Sequence, residues 1–218
     1  AAASYAVVDL ADGSRIKVQQ NSEVRLGRIA LDASLRRQVK IHLLSGKVTS
    51  EVAKASEGAS FDIITRVATA GVRGTTFRVS DAADGITRLE TLTGKVELGG
   101  SKGSVMVPAG QAASVSADGQ PSQPSPLLNG PELVSPKRGK VARDVQLRWR
   151  DLAGAETWLV ELARDADFTI DARVQPASTT TSALPADLKA GKWFWRVIGI
   201  DGGGFVGRPS RVHALTLP

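Results

Sequence analysis

The sequence predicts an all-β protein built from two successive domains. Three observations carry this. Apolar residues recur at every second position in short runs along the 218 residues, which is the period of a half-buried strand. No stretch keeps the 3.6-residue period of an amphipathic helix. Tight-turn signals separate the runs at short, near-regular spacing, as in a sandwich, roll or short solenoid. The composition then changes at a proline-rich stretch, beyond which all four tryptophans lie.

The first strands follow from alternation and turns. Ala6, Val8 and Leu10 lead into Asp12-Gly13, a tight-turn dipeptide, and Ile16 and Val18 resume the alternation. Asn21-Ser22 turns the chain again, after which Val24 and Leu26 alternate with Glu23 and Arg25. Val39, Ile41 and Leu43 define the next strand, which runs through Ser45-Gly46 into Val48 and Val52. Phe61 and Ile63 alternate with Asp62 and Ile64. Asp84-Gly85 breaks the chain, and Leu89 opens another strand. A weak internal repeat runs through this region: Leu44-Ser45-Gly46-Lys47-Val48 recurs as Leu92-Thr93-Gly94-Lys95-Val96. Leu10-Ala11-Asp12-Gly13 and Val107-Pro108-Ala109-Gly110 share an apolar-x-x-glycine turn. The strand pattern is already under way at Tyr5, so an N-terminal part of this domain is expected to precede residue 1.

At the centre stands Ala70-Gly71-Val72-Arg73-Gly74-Thr75-Thr76-Phe77-Arg78-Val79. Thr75, Phe77 and Val79 share one face; Thr76, Arg78 and Ser80 share the other. Glycine weakens a strand, so Gly71 and Gly74 need a reason: a bulge, a sharp bend, or another backbone close by. The reading is a bend made by both glycines, with Val72 pushed into the core and Arg73 at the corner. There the Arg73 guanidinium could donate to several acceptors, Glu51 or Glu90 among them. The decapeptide resembles the signature of the FecR family, A-G-V-R-G-T-x-F-x-V, with a looser likeness over residues 7–116. The L-x-x-G-x-V elements at 44–48 and 92–96, and the Asp12-Gly13-Ser14 and Asn21-Ser22-Glu23 turns, resemble that family too. The resemblance implies an all-β extracytoplasmic domain, a β-roll or β-solenoid-like sandwich, over residues 1–120. Gly71, Val72, Arg73, Gly74, Thr75 and Phe77 form its structural or interaction motif.

Residues 121–136 read as a linker. Pro121, Pro124, Pro126, Pro131 and Pro136 fall close together, and proline makes such a segment extended and semi-rigid. Residues 137–218 are again β. Val145, Leu147 and Trp149 alternate, as do Trp158, Val160 and Leu162, then Trp193, Trp195 and Val197. These runs, with Ala153-Gly154-Ala155 and Gly191-Lys192-Trp193-Phe194-Trp195-Arg196-Val197, resemble a fibronectin type III sandwich. Related modules place a corner tyrosine where Trp193 stands, so a corner bond here would come from the indole N–H. The alternation puts all four tryptophans on inward faces. An exposed aromatic row would instead suit sugar binding.

Composition excludes several kinds of chemistry. There is no cysteine, hence no disulfide, thiol nucleophile or cysteine metal site in the chain. Two histidines make a transition-metal site a poor fit. No apolar run reaches the length of a membrane helix. The net charge of +6 is spread evenly, 15 cationic against 12 anionic residues up to position 125 and 13 against 10 after it. A nucleic-acid partner would concentrate it. The clusters Arg25/Arg28/Arg36/Arg37/Lys40 and Lys137/Arg138/Lys140/Arg143 read as solvated surface.

Gly99-Gly100-Ser101-Lys102-Gly103 matches a nucleophile-elbow pattern, but it lies between β segments, and only His42 and His213 could act as base. Asp165, Asp167 and Asp171 fit no complete calcium loop, and Phe168 and Ile170 read as core. No cofactor site and no catalytic residues are expected. The functional expectation is a non-enzymatic periplasmic protein of the bacterial envelope that binds an envelope protein partner in signalling or assembly. The alternative is a module for peptidoglycan or another polysaccharide. Known members of the resembled family relay an outer-membrane signal to a sigma factor, and others carry an upstream LysM module.

Overall fold

A computed structural model describes residues 5–31, 36–54, 57–72 and 74–218. Contacts divide the chain into two compact units, Tyr5–Pro126 and a second beginning at Leu127. Every regular element among the described residues is a strand.

The first unit contains β1 (Tyr5–Asp9), β2 (Arg15–Gln19), β3 (Glu23–Leu31), β4 (Arg37–Glu51), β5 (Ser60–Ile64), β6 (Ala68–Val72), β7 (Thr76–Asp81), β8 (Thr87–Thr93), β9 (Lys95–Gly100), β10 (Gly103–Pro108), β11 (Gln111–Val115) and β12 (Ser125–Pro126). They form one continuous sheet curled into two leaves around β4. The N-terminal half of this 15-residue strand lies between β3 and β5, with β6, β9 and β10 beyond. Its C-terminal half lies between β2 and β7, with β1 outside β2 and β8, β11 and β12 outside β7. The β4–β5 pair is parallel and every other pair is antiparallel.

The bend in β4 is visible in its side-chain phase. Val39, Ile41 and Leu43 are buried, then Val48 and Ser50. The inward set moves from odd to even positions, so one residue is inserted where Gly46 adopts φ +90°. Ser22 clasps this bend: its Oγ accepts the Lys47 N–H at 2.9 Å and donates to the Lys47 carbonyl at 3.2 Å. The repeated sequence Leu-Thr-Gly-Lys-Val puts Gly94 at a second crossing, where it stands alone between β8 and β9. Val48 and Val96 enter the core just after the two crossings. One apolar cluster fills the space between leaves, with Ile41, Leu43, Phe61, Ile63, Val96 and Leu98 from one side and Ile16, Val48, Phe77, Val79, Leu89 and Val115 from the other. Each such side chain contributes about 1.5–3 kcal/mol. That outweighs the roughly 1–3 kcal/mol a strained backbone position costs, so the sheet curls.

β7 lies between β4 and β8 and is buried on both faces rather than one. Arg78 and Glu90 are cross-strand partners on its outer side, with Nε and Oε2 3.9 Å apart and both side chains nearly inaccessible. The proline-rich stretch divides between the units. Val115 bridges to Pro121, and β12 pairs with β11 at the sheet edge, where proline's missing N–H costs no ladder bond.

The second unit contains β13 (Leu133–Ser135), β14 (Gln146–Trp149), β15 (Ala155–Ala163), β16 (Arg173–Ala177), β17 (Thr181–Ala183), β18 (Gly191–Asp201), β19 (Val206–Pro209) and β20 (His213–Leu217). β13, β14 and β17 make one sheet; β16, β15 and β18 make the other, with β19 and β20 both on β18. This is the strand arrangement of a fibronectin type III-like sandwich. Trp149, Trp158, Trp193 and Trp195 are all buried in its core. Trp149 meets Trp158 edge-on with ring centroids 5.8 Å apart. The Trp193 indole N–H donates to the Lys189 carbonyl at 2.8 Å, supplying the corner bond a tyrosine hydroxyl would make. Arg164 covers the same ring at 4.1 Å and donates to the Lys189 and Lys192 carbonyls. Phe168 is buried as expected, but Ile170 is 58% exposed. Its amide is held by Asp165 at 2.7 Å, and Asp171 turns the chain with φ +50°.

Trp149→Ala and Trp195→Ala are each expected to cost about 3–5 kcal/mol, read from urea unfolding of the whole chain. Near-parental midpoints for both would place these rings outside the core.

Candidate functional site

The glycine signature forms the crossing from β6 to β7. Gly71 lies inside β6, opposite Asp62 and Glu97. A Cβ added there would stand 3.4 Å from Asp62 Oδ1, an ordinary contact. The bend is made instead by Gly74, with φ +106° and an added Cβ only 2.8 Å from Lys54 Cα. The expectation that both glycines bend the chain is therefore corrected: Gly71 is a strand residue with room beside it. Val72 and Phe77 are buried. The Thr75 carbonyl accepts the Val52 N–H at 2.9 Å, and the Thr76 N–H donates to Thr93 Oγ1 at 2.9 Å. The Gly94 carbonyl accepts the Ala109 N–H at 2.8 Å. The corners at Gly74, Gly94 and Ala109 are thus stacked on one another. Arg73, with its expected contacts to Glu51 or Glu90, lies outside the described residues; the ion-pair neighbour shown for Glu90 is Arg78.

A second polar cluster joins the Asp12-Gly13-Ser14 turn to β4. Arg37 forms an ion pair with Asp12 and donates to Ser14 Oγ at 3.1 Å. Ser14 Oγ donates to Asp12 Oδ2 and accepts the Ala53 N–H at 3.0 Å. The Arg37 guanidinium lies 5.7 Å from the centre of the Phe61 ring, and burial lowers its pKa. Asp12, Ser14 and the outer nitrogens of Arg37 answer one another, while Arg37 Nε is buried without a hydrogen bond; the cluster acts as a structural clasp.

The outer face of the leaf beside Gly71 is different. Register aligns Lys40, Asp62, Gly71, Glu97 and Met106 across β4, β5, β6, β9 and β10. Burial raises the pKa of Asp62, and the nearby Lys40 charge opposes that only in part.

The remaining sequence candidates are accounted for by local structure. Ser101 and Lys102 are the loop of the two-residue hairpin joining β9 and β10, not a strand-to-helix elbow. Ser101 lies against Gly119, whose carbonyl accepts the Lys102 N–H, and Lys102 Nζ pairs with Asp118. Asp165 is occupied by the Thr169 and Ile170 amides and the Thr169 hydroxyl. Burial would raise its pKa, but these donors outweigh it and lower the pKa. Among the described residues no cluster of potential metal ligands occurs, and no helix is long and apolar enough to cross a membrane.

Sequence reasoning did not single out β3. Its Leu26 and Ile29 are half exposed, and the strand pairs with β4 alone. The signal was available: after Val24 and Leu26 the alternation breaks at Gly27-Arg28, where the β3–β4 register shifts.

Residues 1–97 match the model of a family described as FecR protein. No curated protein matches the chain. Among solved structures, one of a candidate anti-sigma factor from Parabacteroides distasonis ATCC 8503 is 20% identical, with TM-score 0.47, over 57% of this chain and 56% of that one. The chain therefore spans about half of that protein's length. Another candidate anti-sigma factor structure from the same organism is 18% identical, with TM-score 0.47, over 66% of this chain and 77% of that one. Domains from titin are 15% identical, with TM-score 0.32, over 98% of this chain and 83% of that one.

Gly74→Val is expected to destabilise the first unit by about 2–4 kcal/mol, whereas Gly71→Ala should stay within about 1 kcal/mol. Denaturant midpoints decide this, and equal losses at both positions would contradict the assignment of the bend to Gly74. Asp62 gives a pH test. Its raised pKa means the unfolded chain ionises first as pH rises through the carboxylate range, so stability is lost there and stays lost at neutral pH. Asp62→Asn should therefore raise the melting temperature at pH 7 and leave it unchanged near pH 3. A lower melting temperature at pH 7 would refute the desolvation account.

Proposed function

We propose that this chain is a non-enzymatic interaction module of the bacterial envelope, working extracytoplasmically in signalling or assembly by binding another envelope protein. The observation that carries the reading is the match of residues 1–97 to the FecR protein model. The geometry supports it from another direction. The groups that look chemical in the sequence are spent on structure: Gly74 on a corner, Ser14 and Arg37 on a clasp, Ser101 on a hairpin turn. What is left for function is surface. The even spread of charge suits a protein partner better than a nucleic acid.

A peptidoglycan- or polysaccharide-binding role is the competing reading. Such sites stack sugar rings on exposed aromatic faces, and all four tryptophans here are buried. The protein-partner reading is therefore favoured. The test uses the full-length protein as bait in an envelope extract, beside co-sedimentation with purified peptidoglycan sacculi. A discrete, saturable envelope protein on the bait is the expected result. Co-sedimentation with sacculi in the absence of any captured protein would replace this reading with the polysaccharide one.

A further inference from the structure

The last strand of the first leaf leaves its apolar side uncovered. Leu26 and Ile29 lie across the β3–β4 ladder from Ile41 and Val39, which are buried in the core. Both therefore face the core side of the leaf. They are nonetheless 49% and 50% exposed, because among the described residues no strand lies beyond β3. Val24 still packs against the core, so the apolar face runs without a break from the interior into solvent. β3 is nine residues long and contains no proline; what blunts its edge is charge, at Glu23, Arg25 and Arg28, and the bulge between Leu26 and Ile29, which leaves the edge selective rather than closed. The opposite face of the same edge is cationic. Arg25 lies beside His42 and Arg28 stands in the bulge, while Lys40 follows on β4 with Asp62 of β5 on its far side. Among the described residues neither Arg25 nor Arg28 has an ion-pair partner.

We propose that β3 is a docking edge for an extended segment of a partner protein in which apolar and acidic residues alternate. The inference rests on the protein-binding role proposed above and gives it a place and a chemistry. An incoming strand would bond to the open backbone of β3. Its apolar side chains would continue the core face beside Leu26 and Ile29. Its carboxylates would fall on the other face, beside Arg25, Arg28 and Lys40. Charge selects this occupant over a second copy, because β3 against β3 would bring both arginine pairs onto one interface.

The probes are two labelled synthetic peptides, one alternating glutamate with valine and one alternating lysine with valine, titrated against the whole chain by fluorescence anisotropy. The acidic peptide should bind saturably and the basic one should not. Arg25→Glu/Arg28→Glu should weaken the acidic peptide by about tenfold or more and admit the basic one. Leu26→Thr/Ile29→Thr, conservative changes at exposed positions, should weaken the acidic peptide while leaving the melting temperature near the parent's. Equal binding of both peptides, no saturable binding of the acidic one, or indifference to the charge reversal would overturn the proposal. So would concentration-dependent dimerisation, seen by sedimentation and abolished by Leu26→Thr/Ile29→Thr, since the edge would then belong to a second copy. If the full-length bait captures its envelope protein equally well with both double variants, the docking edge is refuted and the protein-binding role stands. If neither parent nor variant captures a protein, that role itself fails.

Discussion

A sheet that curls into two leaves has to carry its chain across the gap, and each crossing asks the backbone for a conformation few residues can take. Gly46 and Gly74 meet that demand with left-handed dihedrals, and neither has space for a Cβ: one presses on Ser22, the other on the Lys54 backbone. The two restrictions have different origins. A positive φ costs an ordinary residue about 1–2 kcal/mol, which a core this size could absorb. Overlap with a neighbouring backbone cannot be relieved by choosing another rotamer. It can be relieved only by moving backbone: the Ser22 turn that clasps the bend of β4, and the Lys54 segment that follows β4. That is why the corners and β4 constrain each other.

The crossings are also tied to one another. Ser22, in the turn from β2 to β3, fastens the Gly46 bend through both backbone groups of Lys47. Thr76, Thr93 and Ala109 fasten the corners at Gly74 and Gly94. Each hydrogen bond contributes only about 0.5–1.5 kcal/mol. Their effect is to fix the offset between leaves, so that Val48, Val96 and Phe77 meet in one cluster. The second unit solves a similar problem at the entrance to β18 with other chemistry. There an indole N–H and an arginine fork occupy the Lys189 carbonyl, and the tryptophan that donates is itself core.

Much of this was legible in the sequence because it depends on local pattern. Alternation put Val39, Ile41, Leu43, Phe61 and Ile63 on the inner side of strands, where they are buried. The repeat of Leu-Ser-Gly-Lys-Val as Leu-Thr-Gly-Lys-Val was visible as letters; that it marks crossings between leaves depends on which strands pair, and pairing partners far apart in sequence leave no local trace. The two signature glycines look alike for the same reason. The left-handed backbone of Gly74 and the approach of Lys54, brought from another part of the chain, separate it from Gly71. Arg37 read as one member of a cationic surface cluster, whereas its partners Asp12 and Ser14 come from the preceding hairpin. Ile170 read as core from its alternation with Phe168, but hydrogen bonds to Asp165 turn it outward.

This division of labour bears on how such a domain could acquire a partner. Residues that hold the corners have little freedom to vary, because each is committed to a backbone contact or to a buried polar group. Gly74, Ser14 and Ser22 could not be exchanged for recognition groups without loosening β4. The edge strand is under no such restraint. Among the described residues Arg25 and Arg28 hold no ion pair, and Leu26 and Ile29 are half exposed, so these side chains can change while the curled sheet persists. Fold and specificity are then written in different parts of the same unit: the fold in glycines and small hydroxyl residues at the crossings, the specificity in side chains along the last strand of a leaf. The most distinctive motif of this chain is architectural; the surface proposed to bind lies where the apolar face runs out into water.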